Sequence, residues 1–163
     1  MKRTALISLL GAASLALSAC AFQPLYGDAG QVSAIRSVTI AVDGQERVDQ
    51  MLAEALNDRF GTPAGGRFRL VTETDTNTSG LGVGADDIAS RAVLRLSVDF
   101  SLVDTRSGTP ELTETVNTEA TFDIPAEPFA AISARRDAEE RAARDAADRI
   151  AVRVARHIHR TGR

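Results

Sequence analysis

The alternation of apolar and polar side chains names most of the elements. In residues 37–42, Val38, Ile40 and Val42 fall on one side and Ser37, Thr39 and Ala41 on the other, the period of a half-buried strand. Asp43 then reads as a helix N-cap with Glu46 three residues on. Val48, Met51, Leu52, Leu56 and Phe60 follow at helical spacing and Gly61-Thr62-Pro63 ends the run, which predicts a helix over 45–60. Residues 67–73 form a second expected strand, with Phe68 and Leu70 on its apolar side. The polar, glycine-rich stretch 74–87 (TDTNTSGLGVGADD) is expected to be a mobile connection.

The clearest period of two comes next. Ala92, Leu94, Leu96, Val98, Phe100 and Leu102 line one face of 90–104, opposite Arg95, Ser97, Asp99 and Ser101. Arg106-Ser107-Gly108-Thr109 supplies a turn. The return strand, 111–124, carries Leu112, Val116, Ala120, Phe122 and Ile124 on one face and mostly hydroxyl, amide and carboxylate groups on the other. Pro125 and Pro128 break it, and a long helix runs to about His159, starting between Phe129 and Ser133. Its buried stripe holds Ile132, Ala142, Ala143, Ala146, Ala147, Ile150, Val154 and Ile158, small enough in the middle for close approach to a sheet. The pattern describes an α+β domain with a two-layer core.

The first twenty residues follow another logic. Lys2 and Arg3 precede an uncharged, mostly apolar run over 5–17, the length of a signal-peptide core and too short for a spanning helix. Leu17-Ser18-Ala19-Cys20 resembles the lipobox of bacterial lipoproteins, in which the cysteine is acylated and becomes the mature N-terminus. Cys20 is the chain's single cysteine, so it has no internal disulfide partner. The expected division is a lipoprotein signal peptide over 1–19, a lipidated extended segment over 20–34 and one domain over 35–163. The expected lipid is diacylglycerol on the Cys20 sulfur with an N-acyl chain such as palmitate, which anchors without a transmembrane helix. Ala21 stands where aspartate resembles the inner-membrane retention signal, so an outer-membrane destination is favoured.

Composition narrows the chemistry. Without its first nineteen residues the chain has seventeen Lys plus Arg against twenty-two Asp plus Glu, which argues against general nucleic-acid binding. Six Phe, one Tyr and no Trp leave few stacking platforms. Gly80, Gly82 and Gly84 lack the spacing and the lysine of a phosphate-binding loop. No catalytic set is visible, so no enzyme activity and no cofactor is expected. His157 and His159 lie about 200° apart on a helix and cannot share a metal, so no metal site is expected.

One charge pattern stands out. After Asp148 no acidic residue occurs, and Arg149, Arg153, Arg156 and Arg160 fall within about 60° of helical arc. Cations suit a helix C-terminus and a solvated face. The same row could meet the phosphates of a lipid A headgroup or an acidic partner through bidentate donors. Arg67, Arg69 and Arg95 are weaker candidates of the same kind.

Cys20-Ala21-Phe22-Gln23-Pro24-Leu25-Tyr26-Gly27 resembles the N-terminus of the alphaproteobacterial form of the LptE lipopolysaccharide-assembly lipoproteins. Residues 136–150 are similar to the final helix of that family. The resemblance implies a four-stranded, mostly antiparallel sheet with two helices on one face, in the order βαβββα. It also implies a lipid-anchored subunit on the periplasmic face of the outer membrane, which plugs and helps assemble an LptD-like β-barrel and contacts lipopolysaccharide. The rival expectation is a periplasmic accessory lipoprotein of a lipid ABC transporter.

Overall fold

In the computed structural model the described residues are 38–61, 65–83 and 89–161. The elements are β1 (Val38–Asp43), α1 (Arg47–Phe60), β2 (Phe68–Val83), β3 (Ala89–Asp104), β4 (Pro110–Asp123) and α2 (Pro128–Thr161). The expected signal peptide, Cys20 and the extended segment after it lie outside the described residues. Together the elements form an α+β fold with a mixed four-stranded sheet in the order β1-β2-β3-β4. β1 and β2 are parallel, joined through α1, while β2-β3-β4 is an antiparallel meander.

Register aligns the apolar sides. Leu70 lies opposite Leu102, Leu102 opposite Leu112, and Val98 opposite Val116, so one face of the sheet is continuous. Both helices pack on that face and against each other, α1 near β1 and α2 across β3 and β4. They run in the same direction, since Arg47 meets Glu139 and Arg59 meets Asp148. Val38, Leu52, Leu56, Phe60, Leu94, Phe100, Ile150 and Val154 are buried between the layers. Burying a side chain of that size contributes roughly 1.5–3 kcal/mol, so this layer is the main source of stability.

Three sequence expectations change. β2 does not stop at Glu73; it continues to Val83, replacing most of the expected mobile connection. Thr74, Thr76 and Thr78 pair with Val98, Leu96 and Leu94 of β3, and β-branched side chains suit such a pleated surface even when polar. The first helix is capped by Glu46 instead of Asp43, which closes β1. The Glu46 N–H donates to Asp49 Oδ2 at 2.8 Å, and Thr74 Oγ1 donates to Asp49 Oδ1. Asp49 therefore ties the start of α1 to β2, satisfying two donors in a buried place.

The third change concerns α2. Pro128 is its first residue, where a missing N–H does no harm. At 34 residues the helix is about 50 Å long, similar to the strands beneath it, but it is offset along them: Arg141 already reaches Thr121, two residues from the end of β4, so the first turns overhang. Its burial begins at Ala138. Ile132, expected on the buried stripe, is 49% exposed and Phe129 is 87% exposed, because both stand beyond the end of the sheet.

Candidate functional site

The arginine row of α2 divides into two pairs. Arg149 donates through Nε and Nη2 to both carboxylate oxygens of Asp145, at 3.0 and 2.9 Å, and through Nη1 to the carbonyl of Asn117. Arg153 donates through Nη1 to Glu114 Oε2 at 2.7 Å and to the carbonyl of Thr115 at 3.0 Å. Arg141, two turns before Arg149, donates to the carbonyl of Thr121 at 3.2 Å. Thr115, Asn117 and Thr121 share one parity of β4, the outermost strand. Their carbonyls point away from β3, and α2 supplies donors that the edge would otherwise take from water. Two members of the row thus hold sheet to helix.

Arg156 and Arg160 are exposed, and no partner meets either of them among the described residues. With Arg153, Glu114 and His159 they line a shallow, open depression at the C-terminal end of α2. Unscreened guanidinium groups at a helix C-terminus form a surface that can take an anionic group by charge-assisted hydrogen bonds. Glu114 limits the attraction on one side. His157 is partly buried, its Nε2 3.3 Å from Glu111 Oε2, so it belongs to the helix-to-strand seam and not to the depression.

The sheet face turned away from the helices bears no described element. It is polar and closed upon itself by cross-strand pairs: Arg91 with Asp123, Arg95 with Glu119 and Ser79, Asp99 with Thr115, Ser101 with Thr113. Arg95 is therefore engaged. Arg67 is too, donating to Asp104 Oδ2 at 3.2 Å with its guanidinium 4.8 Å from the Phe68 ring centroid. Arg69 is exposed on the outer face. The Arg106 backbone N–H, at 2.8 Å from Asp104 Oδ1, holds that carboxyl below its usual range against the opposing effect of burial; Arg67 and the Ser107 N–H act in the same sense as Arg106.

The described residues contain no group of three or more His, Cys, Asp or Glu that could hold a metal, and no helix long and apolar enough to cross a membrane. Sequence reasoning missed the edge-capping role of Arg141, Arg149 and Arg153. A helical wheel places them on one polar arc but does not say that the arc overhangs a strand edge. It also missed the exposed apolar end, for which the signal is that Phe129 and Ile132 prolong the spacing of Glu139, Ala143 and Ala146 beyond the last strand residue.

Residues 34–154 match the family model LptE, described as lipopolysaccharide-assembly. The chain belongs to the LptE family. No curated protein matches it. Among solved structures, a lipoprotein from Caulobacter crescentus CB15 is 28% identical, with a TM-score of 0.70 over 80% of this chain and 96% of its own. Rare lipoprotein B from Shewanella oneidensis gives a TM-score of 0.56 at 15% identity, over 77% of this chain and 98% of its own. A minor lipoprotein from Acinetobacter baumannii gives 0.56 at 14%, over 72% and 89%. The last two establish likeness of fold only, and the LptE sheet with its two helices is what they share.

Proposed function

We propose that this chain is an outer-membrane lipoprotein subunit of the lipopolysaccharide translocon. It is held to the periplasmic face by acyl chains on Cys20, sits within an LptD-like β-barrel whose assembly it assists, and contacts lipopolysaccharide in passage. The observation that carries this reading is the family match over 34–154, which spans nearly the whole folded region. The lipobox-like Leu17-Ser18-Ala19-Cys20 and the lipoprotein names of the structural neighbours support the anchor.

Physical features agree with the proposed role. The lumen of a membrane barrel is polar, and the uncovered sheet face is a lattice of hydroxyls, amides and paired charges, able to exchange hydrogen bonds with such a wall without burying an unpaired charge. Arg156 and Arg160, with Arg153 beside them, are the groups available for phosphates of lipid A; Arg149 contributes indirectly by fixing α2 to β4. The role is one of binding and assembly, with no bond-making step and no cofactor beyond the covalent lipid.

The test is isolation of the tagged full chain from detergent-solubilised membranes. Recovery with a large outer-membrane barrel, and a mature N-terminal peptide carrying the acyl mass on Cys20, is the expected result. Recovery with inner-membrane permease subunits would favour the ABC-transporter accessory role. An unmodified Cys20 on a freely diffusing protein would overturn both.

A further inference from the structure

The sheet has two long edges that the fold treats differently. Along β4, arginines of α2 reach the outward carbonyls of Thr115, Asn117 and Thr121. On the other side β1 pairs with β2 only from Phe68 to Glu73, and among the described residues no strand continues that pairing beyond Glu73. Residues 74–83 thus present about 33 Å of extended backbone, with Asp75 its single charge and no proline. Sheets ordinarily blunt such an edge with charges, proline, a bulge or a cover, because an open one is a template for another strand.

Hydrogen-bond phase fixes which groups this edge offers. The Ile124 N–H donates to the Ser90 carbonyl, so even-numbered residues of β3 bond to β4 and odd-numbered ones to β2. Their partners on β2 are odd-numbered too, as Asn77 is for Arg95 and Leu81 for Arg91. The backbones of Thr76, Thr78, Gly80 and Gly82 therefore point away from β3, into the open edge. The helix layer is open at the same place. Asp49, in the first turn of α1, accepts from Thr74, and α1 runs back from there to the start of β2. Thr78 is exposed.

We infer that this edge pairs with the same edge of a second copy of the chain, as antiparallel strands about a two-fold axis at Ser79. The register sets Ser79 opposite Ser79, Thr78 opposite Gly80, Thr76 opposite Gly82, Asn77 opposite Leu81 and Asp75 opposite Val83. Each outward amide and carbonyl of residues 76, 78, 80 and 82 then has a partner. On the helix side a branched threonine always meets a glycine, so no two branched side chains compete for the same space, and the edge's single charge is kept away from its own counterpart. A step in either direction does worse. With Thr78 on the axis, Val83 of the copy would take the place opposite Glu73 that Asp43 already fills. With Gly80 on the axis, Thr76 would face residue 84, beyond the end of the strand. The axis stands perpendicular to the sheet, so both helix layers lie on one side of the joined surface, and the arginines along β4 guard the remaining edges. Assembly therefore closes at two copies. The pairing is independent of the barrel reading, which concerns the outer sheet face and the acyl anchor.

Disulfide trapping in membranes that carry the full chain tests this. Residues facing each other at the axis form a non-hydrogen-bonded pair with Cα atoms about 4.5 Å apart, within reach of a disulfide. Oxidised Ser79→Cys is expected to run mainly as a covalent dimer of the chain. Asn77→Cys and Leu81→Cys each lie about 13 Å or more from their own counterparts and should give at least about tenfold less when tested singly. Expressed together on separately tagged chains, those two should bond to one another. Thr78→Pro removes an outward N–H without touching the β3 ladder, and in the Ser79→Cys background it should lower the dimer about tenfold while the monomer's thermal midpoint holds. Equal bonding at all three positions, a bond to a different protein, which would assign the edge to a partner strand, or no bond at all overturns the inference. The wild-type chain is the control for Cys20: a bond there counts against the acyl anchor alone, and the Ser79 comparison is then read in Cys20→Ser.

Discussion

Thr118 Oγ1 on β4 donates to the carbonyl oxygen of Ala142 on α2 across 3.1 Å. A side chain of the sheet touches the backbone of the helix, which requires the helix to present almost nothing there. Ala138, Ala142, Ala143, Ala146 and Ala147 are all buried.

Ala146→Leu inserts three carbons into that contact. It should lower stability by about 1–3 kcal/mol in urea titration, because neither backbone can yield without parting the Thr118 bond. A neutral result would show that α2 can lift from the sheet.

Thr72 offers the opposite case. Its hydroxyl is fully buried and Oγ1 has no hydrogen-bond partner among the described residues. Thr72→Val keeps the shape and removes the orphaned polar atom, so stability should stay level or rise by up to about 1 kcal/mol. A thermal midpoint several degrees lower would mean the hydroxyl is bonded in solution.

Asp104 joins the end of β3 to the following turn and to Arg67. Its folded pKa lies below the ordinary carboxylate value of 3.8. The unfolded chain therefore binds the proton more readily, and the contribution to stability is present above that value and lost as pH falls through the lower, folded one. Relative to Asp104→Asn, the wild-type chain should be more stable at pH 6 and lose this advantage progressively as pH falls below the ordinary carboxylate value. A difference unchanged across that window would contradict the assignment.

The four arginines of α2 should separate by role. Replacing Arg156 and Arg160 by Ala should leave stability within about 0.5 kcal/mol while weakening retention of lipopolysaccharide in co-purification. Replacing Arg149 and Arg153 instead should cost about 1 kcal/mol, since two solvent-accessible pairs and two caps on β4 are lost. If both double variants retain lipopolysaccharide normally, the phosphate reading of this row is wrong.

What could be read beforehand follows from where burial is one-sided. β3 is legible from 92 to 102 because α2 covers one face and solvent the other, so each side chain reports its side. The distal half of β2 receives no such contrast: α1 reaches no further along it than Thr74, and Thr76 and Thr78 are polar because little covers them. Strand pairing with β3 is a property of the backbone, which no side-chain pattern records. The cap moved from Asp43 to Glu46 because β1 runs on through Asp43 and takes it out of reach. The arginine row was visible as spacing, but its division into Arg149 and Arg153 against Arg156 and Arg160 depends on where β4 passes beneath the helix. The resemblance carried by residues 136–150 falls within the matched span 34–154, and it was legible from residues alone.

The parallel pairing of β1 with β2 bears on how the chain acquires its structure. Val38 is made long before its strand partner Phe68, thirty residues later in the chain, and the return must pass through α1. The meander from Phe68 to Asp123 needs only local hairpins, so the three-stranded ribbon can close early and β1 with its helix dock afterwards, once a template exists. A nascent molecule cut short before Phe68 would hold a strand with no neighbour, and the unit most exposed to sticking during synthesis is its first one.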